Sequence, residues 1–444
     1  MNYQEARAFM EGRQGEIHLG LDRIRALLEE LDHPEQDLRC IHIAGTNGKG
    51  SILSYLSTTL THAGYKTGRY ISPTLYSYEE RFQIDGQEIS HERFTELAAQ
   101  ISLAVERMEK RGIPCPSPFE LETVLCFLYF QQEHCEYVVL ECGMGGEGDA
   151  TNVIPAPVAA VLASISLDHR DFLGNTLREI AWTKSGIVKP GCICVTGSQP
   201  EEVMESVRKR CVEQKVPLIQ AEPMEAEVLS NTLEGQEFLY RGSRIAVSLP
   251  GSVQKENAIT AWTVLQELKK RGLQLTDRQI YEGMRLADWK GRFTCIAKEP
   301  YFIVDGAHNP AAAEKLADSV EQYFAGKNIF CIIGIFKDKD VDKILRLTVP
   351  GAKRIFTVET PGNPRAMPAE QLAEMAAVYH PDVEVCASLA DAVDRAYQAA
   401  DREDVILSFG SLSNIGELTE LVRQRMNVCK DSGRFDEASD SAKQ

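Results

Sequence analysis

The residues best equipped for chemistry stand side by side: Gly45, Thr46, Asn47, Gly48, Lys49, Gly50 and Ser51. Glycines let successive backbone N–H groups converge on one anion, a lysine adds a mobile cation, and a serine hydroxyl can ligate Mg²⁺. A β-branched run precedes them at 41–44 and an apolar helical pattern follows from Ile52, so a helix N-terminus faces the same anion. The stretch predicts a cradle for a nucleotide triphosphate. It departs from the usual P-loop in that Gly50 separates Lys49 from Ser51, and Ala44 takes the place of the first glycine. The alternative, a plain glycine turn closing a βα unit, has no need of Lys and Ser beside three glycines.

Further candidates lie downstream. Glu141 ends the apolar run 137–140, and in a parallel sheet that strand tip is where a second anchor for Mg²⁺ belongs, because a buried acid without a metal is costly. His169 follows Asp168 after another apolar run, 158–165, and reads as a site residue or as a partner of Asp168. Lys184 falls on a mostly apolar helical stretch, 176–191, where an unpaired ammonium is unfavourable. Either it pairs with acids or its charge is changed chemically. Glu120 opens a helix after the proline-rich 113–118, and is either an N-terminal acid favoured by the helix dipole or a substrate contact.

The elements that must position these groups alternate. Amphipathic helices fill 1–39, the second over about 21–31; a strand is predicted at 67–71, and helices over 91–111 and up to Phe130. Between them 72–90 reads as an ordered loop, given Tyr76, Tyr78 and Phe82. Strands near 193–195 and over 237–249, the latter with hairpin-like alternation, precede a long helix from 252 to about 271. A polar bend at 288–293 precedes a linker, placed just after it. Beyond it, strands at 302–305, 328–335, 354–358, 383–385 and 404–409 alternate with helices, which implies a second parallel sheet with right-handed crossovers. The expected fold is α/β: an N-terminal P-loop ATPase domain with a mostly parallel sheet over 1–295, a smaller C-terminal Rossmann-like domain over 296–428, and a polar disordered tail over 429–444.

Composition narrows the partners. A chain of 444 residues, 43% hydrophobic and 25% charged, suits a soluble protein of two or three domains. It shows neither a signal-peptide core nor an apolar run that could span a bilayer, so a cytoplasmic protein is expected. A net charge of −17 argues against nucleic acid and anionic membranes, though a local pocket of N–H groups and Lys still holds small anions. The 12 cysteines read as reduced core thiols, since Cys192 and Cys194 lack the spacing of a zinc knuckle. A monomer is expected.

Several separated motifs coincide with one family. GTNGKGS (45–51), the SP-containing loop through ERFQIDG (72–86), FE (119–120), LECGMGG with DATN (140–152), DH (168–169), LGNTLREIA through KPG (173–191), GRF (291–293), DGAHNP (305–310), KDKD (337–340) and FGSL (409–412) together resemble folylpolyglutamate synthase / dihydrofolate synthase, of the Mur ligase superfamily, over about residues 1–425. The resemblance implies an ATP-dependent amide ligase whose substrates are ATP, L-glutamate and a folate or pteroate, joined through an acyl phosphate. By the same resemblance Thr46 and Asn47 open the nucleotide loop, and Gly48, Lys49, Gly50 and Ser51 hold the β- and γ-phosphates. Asn257, Arg292 and Asp305 contact nucleotide, which places ATP in an interdomain cleft. Ser51, Ser72, Glu141 and His169 ligate Mg²⁺. Lys49, Lys184 and His308 are catalytic, with Lys184 carbamylated; Phe119, Glu120, Asn152 and Asn309 touch substrate.

The chain departs from the family pattern at four places: Thr74 and Val253 replace His, Thr183 replaces Glu, and Glu147-Gly148 replaces Arg-Leu before DATN. The charge reversal at Glu147 is expected to weaken ATP or folate binding by more than about 1 kcal/mol if it is partly buried. Two alternatives stand beside the folate ligase: a Mur-type ligase acting on another carboxylate, and a nucleotide-binding relative that has lost turnover.

Overall fold

The computed structural model describes residues 1–12 and 20–431; of the expected disordered tail, 429–431 instead close the helix Ile415–Asp431, and the rest, from 432 onward, lies outside the described residues. The chain divides into two units, 1–248 with 253–289, and 249–252 with 290 onward.

The first unit is built on strands β1 (Cys40–Ala44), β2 (Thr67–Tyr70), β3 (Phe82–Ile84), β4 (Gln87–Glu88), β5 (Tyr137–Glu141), β6 (Ala159–Leu162), β7 (Ile193–Thr196) and β8 (Leu218–Gln220). They form one sheet in the order β4-β3-β2-β5-β1-β6-β7-β8. All pairs from β2 to β8 are parallel, while β3 and β4 add an antiparallel edge. Every residue of β1 is buried, as a central parallel strand covered on both faces requires. Register fixes what shares an edge: Ile43 pairs Glu141, Tyr70 pairs Leu140, and Ala44 pairs Leu162. The turn after β1, Glu141 and the segments after β2 and β6 therefore leave the sheet on one side.

The helix Pro118–Gln132 is apolar on nearly every face and lies in the core, closed at its start by a Ser117–Glu120 capping box with Pro118 in the first turn. Its Phe130 packs so tightly on β2 that a Cβ at Gly68 would sit 2.7 Å from the ring.

Two stretches differ from expectation. Residues 72–90 are ordered, but they hold β3 and β4 rather than a loop throughout. The turn between them is Asp85-Gly86, both with positive φ (52° and 80°), the two-residue hairpin signal that a reading for polarity passes over. Tyr78 and Phe82 join the core, whereas Tyr76 stays exposed. The hairpin-like region is a three-stranded antiparallel sheet, β9 (Glu227–Thr232), β10 (Gly235–Tyr240) and β11 (Ser243–Val247). β9 escaped the sequence reading because all its residues are exposed, leaving no buried alternation to detect.

The second unit carries β12 (Thr294–Lys298), β13 (Tyr301–Val304), β14 (Ile329–Ile333), β15 (Arg354–Thr357), β16 (Val383–Val385) and β17 (Val405–Phe409), in the order β12-β13-β17-β14-β15-β16. All but β12 run parallel. The last described strand thus fills the slot between β13 and β14, the doubly wound arrangement in which ligands meet strand C-termini. Every described cysteine is a free thiol. Among the described residues, no helix is long and apolar enough to cross a membrane.

Candidate active site

The turn after β1 is pinned before it reaches its glycines. The amides of Thr46 and Asn47 both donate to Ser164 O (2.7 and 3.1 Å), and Thr46 Oγ1 donates to Ser166 O while accepting from Ser166 N. Gly48 then takes φ 87° and opens the helix Lys49–His62 with no side-chain cap. A helix start without its own cap leaves N–H groups and the positive end of the dipole to an anion. Lys49 Nζ lies 3.7 Å from Glu141 Oε1, so two groups chosen separately from sequence meet.

Lys184 comes to the same place from the helix Leu177–Lys184. Only 4% exposed, its Nζ donates to Gly45 O at 2.8 Å. Burial, and next the charge of Lys49, push its pKa down to about 7; Cys142, Asp168 and Asp149 act against them. Lowered that far, the amine has a neutral form within reach near neutral pH, and it sits among groups of both signs. Asp149, itself buried and raised by that burial, accepts from the amides of Met144 and Thr151.

The residues expected to hold a metal share one sheet edge. Ser72 lies two residues past Tyr70, Glu141 ends the neighbouring β5, and Ser51 opens the adjacent helix. His169 follows β6 in the left-handed region (φ 50°), its amide donating to Asp168 Oδ1 at 2.9 Å and its ring 3.9 Å from Asp168 Oδ2. For a residue other than glycine that backbone is strained, as often happens at functional sites. Among the described residues no three His, Cys, Asp or Glu side chains form a metal-holding group. A set of two hydroxyls, one carboxylate and one imidazole fits a Mg²⁺ carried mainly by phosphate oxygens, and not a metal caged by protein alone.

Asn257 is also brought to the loop: a Cβ on Gly48 would stand 2.4 Å from Asn257 Oδ1. Gln254, one helical turn earlier, donates to Ser51 Oγ at 3.3 Å and accepts from Tyr55 at 3.0 Å. Sequence reasoning passed over Gln254, although its spacing from Asn257 on one helix face was the available signal. Phe119 packs under the 142–152 loop, its ring 2.5 Å from where a Gly143 Cβ would be. Glu120 and Asn152 are engaged within the fold. Glu120 Oε2 accepts from Ser117 N and Oγ, which favours the helix-start reading, and Asn152 Nδ2 donates to Glu147 O and Gly186 O.

Glu147 carries its reversed charge away from the loop. Its carboxylate meets Arg210 Nη2 at 3.4 Å, on the helix Glu201–Gln214, and Arg210 in turn stacks on Trp182 at 3.9 Å. The side chain at 147 is 58% exposed and has a local counter-charge, so the condition for a binding penalty, partial burial near anions, is not met.

In the second unit, Asp305 follows β13 and accepts from the amides of Phe293 (2.7 Å) and Ala307 (2.8 Å). Burial raises its pKa, and Arg292 and then two backbone hydrogen bonds lower it. Arg292 reaches across Gly306, where a Cβ would lie 2.3 Å from Nη1. His308 Nδ1 donates to Gly306 O at 2.7 Å, since a carbonyl only accepts, and Nε2 is thereby the basic nitrogen. Asn309 is 2% exposed and caps the helix Pro310–Phe324 through Ala312 N.

Comparison with known proteins follows the same division. Residues 43–265 match the Mur ligase middle domain, and 291–412 the Mur ligase glutamate ligase domain. The dihydrofolate synthase/folylpolyglutamate synthase of Bacillus subtilis is 34% identical over 355 residues, covering 78% of this chain and 82% of that one. The chain belongs to the folylpolyglutamate synthase/dihydrofolate synthase family. Two solved members extend the likeness to the whole fold. Mycobacterium tuberculosis folylpolyglutamate synthase complexed with ADP superposes with a TM-score of 0.85 at 30% identity, covering 96% of this chain and 98% of that one. Escherichia coli FolC in complex with DHPP and ADP gives 0.83 at 29% identity, covering 96% and 99%.

Proposed function

We propose that this folylpolyglutamate synthase family member is an ATP-dependent ligase that joins L-glutamate to the carboxylate of a reduced folate, with dihydropteroate as a second acceptor. It acts on small molecules, as a cytoplasmic monomer. The observation that carries the reading is the meeting of Lys49, Lys184 and Glu141 around an uncapped glycine helix start.

The chemistry is chiefly a matter of holding anions together. Backbone N–H groups at 48–51 and Lys49 bind the triphosphate, stabilising charge as a folate carboxylate oxygen bonds to the γ-phosphorus and the bond to ADP breaks. The glutamate amine then attacks the acyl carbon, and a tetrahedral intermediate expels phosphate. His308 Nε2 is the group proposed to take the amine's proton, with Nδ1 held by Gly306. Ser51, Ser72, Glu141 and His169 would hold Mg²⁺, which neutralises phosphate charge when bound. Asn257, Arg292 and Asp305 are assigned to the nucleotide, and Phe119 to the pterin side.

Lys184 is proposed to be carbamylated: its neutral amine attacks CO₂, a C–N bond forms and a proton is released. A carbamate replaces an ammonium that Lys49 opposes with an anion that Lys49 attracts. Because the neutral share of an amine with a pKa near 7 grows with pH, ¹³C-bicarbonate should give a carbamate NMR signal that rises from pH 6 to 8 and vanishes in Lys184→Ala. No signal at any pH removes the modification from the mechanism.

The overall reading is tested by phosphate release with Mg-ATP and glutamate. Release that requires a tetrahydrofolate or dihydropteroate is expected, and side-by-side assays rank the two. Release that ignores both folates points to another acceptor, and no release to a protein that only binds nucleotide.

A further inference from the structure

The extra glycine at position 50 has no backbone explanation. Gly50 lies inside the helix Lys49–His62 and is not among the residues with positive φ, so alanine would be the better helix former there. Its neighbour explains it. A Cβ at position 50 would stand 2.4 Å from Trp289 Cζ2 and 2.6 Å from Trp289 Nε1. The indole occupies the space a side chain would need.

What brings Trp289 there is a helix laid antiparallel on the loop helix. Gly283, in Asp277–Leu286, approaches so closely that its Cβ would lie 2.6 Å from Thr59 Cα. Further along, Ser54 Oγ donates to Asp288 O at 2.8 Å, and Ser248 Oγ donates to Ala287 O. Contacts thus step from Thr59 to Ser54 to Gly50 as the other chain runs from Gly283 to Trp289. All of these residues belong to the first unit.

We propose that Trp289 is a positioning residue of the nucleotide loop: its indole, seated on Gly50, holds Lys49 and Ser51 on either side in the register that meets phosphate. It touches neither substrate nor the reacting atoms. Indole is a rigid plate with few rotamers, suited to fixing a turn that lacks a side-chain cap of its own. The inference rests on the nucleotide reading of 45–51.

The test uses the full chain and Mg-ATP, with dissociation constants from calorimetry and separate KM values for ATP and glutamate. If wild type does not bind Mg-ATP, the nucleotide reading itself falls, and this inference with it. Given wild-type binding, Trp289→Ala is expected to raise the ATP dissociation constant and KM by about 10- to 100-fold while leaving the glutamate KM unchanged, because small displacements of a positioned group cost that much. Trp289→Phe should restore most of the loss. Gly50→Ala should weaken ATP similarly, and Gly50→Ala with Trp289→Ala should be no worse than either alone, as expected for two sides of one contact. ATP binding by Trp289→Ala equal to wild type, or losses in the double variant that multiply, overturns the proposal. Should Trp289→Ala not fold, Gly50→Ala decides: normal ATP affinity overturns the role, and weakened affinity at an unchanged melting temperature sustains it.

Discussion

Each unit contains a parallel strand that breaks into a glycine turn and a helix, yet the two turns end differently. After β1, the helix Lys49–His62 starts at Gly48 in the left-handed region with no side-chain cap. After β13, the helix Pro310–Phe324 starts at Asn309, whose side-chain Oδ1 accepts from Ala312 N, with proline in the first turn. The first helix leaves its N–H groups to a visitor and surrounds them with Lys49 and Lys184. The second satisfies its own, and the groups proposed to act there, Asp305 and His308, lie on the turn. Strand, turn and helix in that order is therefore not enough for an anion site; what sets the first apart is an uncapped glycine start with Lys49 and Lys184 beside it.

The contrast can be broken most sharply at Gly48. Gly48→Ala needs a left-handed alanine and drives its Cβ to 2.4 Å from Asn257 Oδ1. We expect ATP binding to be lost by calorimetry, together with about 1–3 kcal/mol of stability in urea unfolding. The strands that feed the turns differ as well. β1 buries His42 fully, bonded to Thr151 Oγ1 at 2.8 Å, and burial pulls its pKa from 6.5 down to about 3. Between those values the unfolded chain takes up a proton that the native one refuses. Stability should thus fall as pH drops below about 6.5, by up to about 1.4 kcal/mol per pH unit, and His42→Gln should flatten that slope in denaturation curves. The smallest effect lies in the second unit. Asn309→Ala should cost about 1 kcal/mol, with Asn309→Asp recovering most of it, because the residue is a helix cap. A loss confined to glutamate KM, with stability unchanged, would return Asn309 to substrate binding.

Much of the molecule could be read from residue order. Alternating apolar runs and helical periods placed most strands of both sheets, because parallel strands buried on two faces leave continuous apolar signatures, as Cys40–Ala44 and Val405–Phe409 do. The loop 45–51, Glu141 and Lys184 stood out because each breaks an apolar context with a charge or a run of glycine. β9 left no such trace, and the Asp85-Gly86 hairpin left one too brief to register as periodicity.

Residue type alone determined that an anion cradle, a strand-end carboxylate and an ill-placed lysine exist in this chain. Only tertiary structure decided that they meet, that Glu147 pairs with Arg210, and that Glu120 and Asn309 cap helices. The reason is that a local sequence specifies the conformation of its own segment. Which charge faces which across 90 or 130 residues of chain is set by strand register and helix packing, and it is burial first, then the nearby charge of Lys49, that lowers the pKa of Lys184.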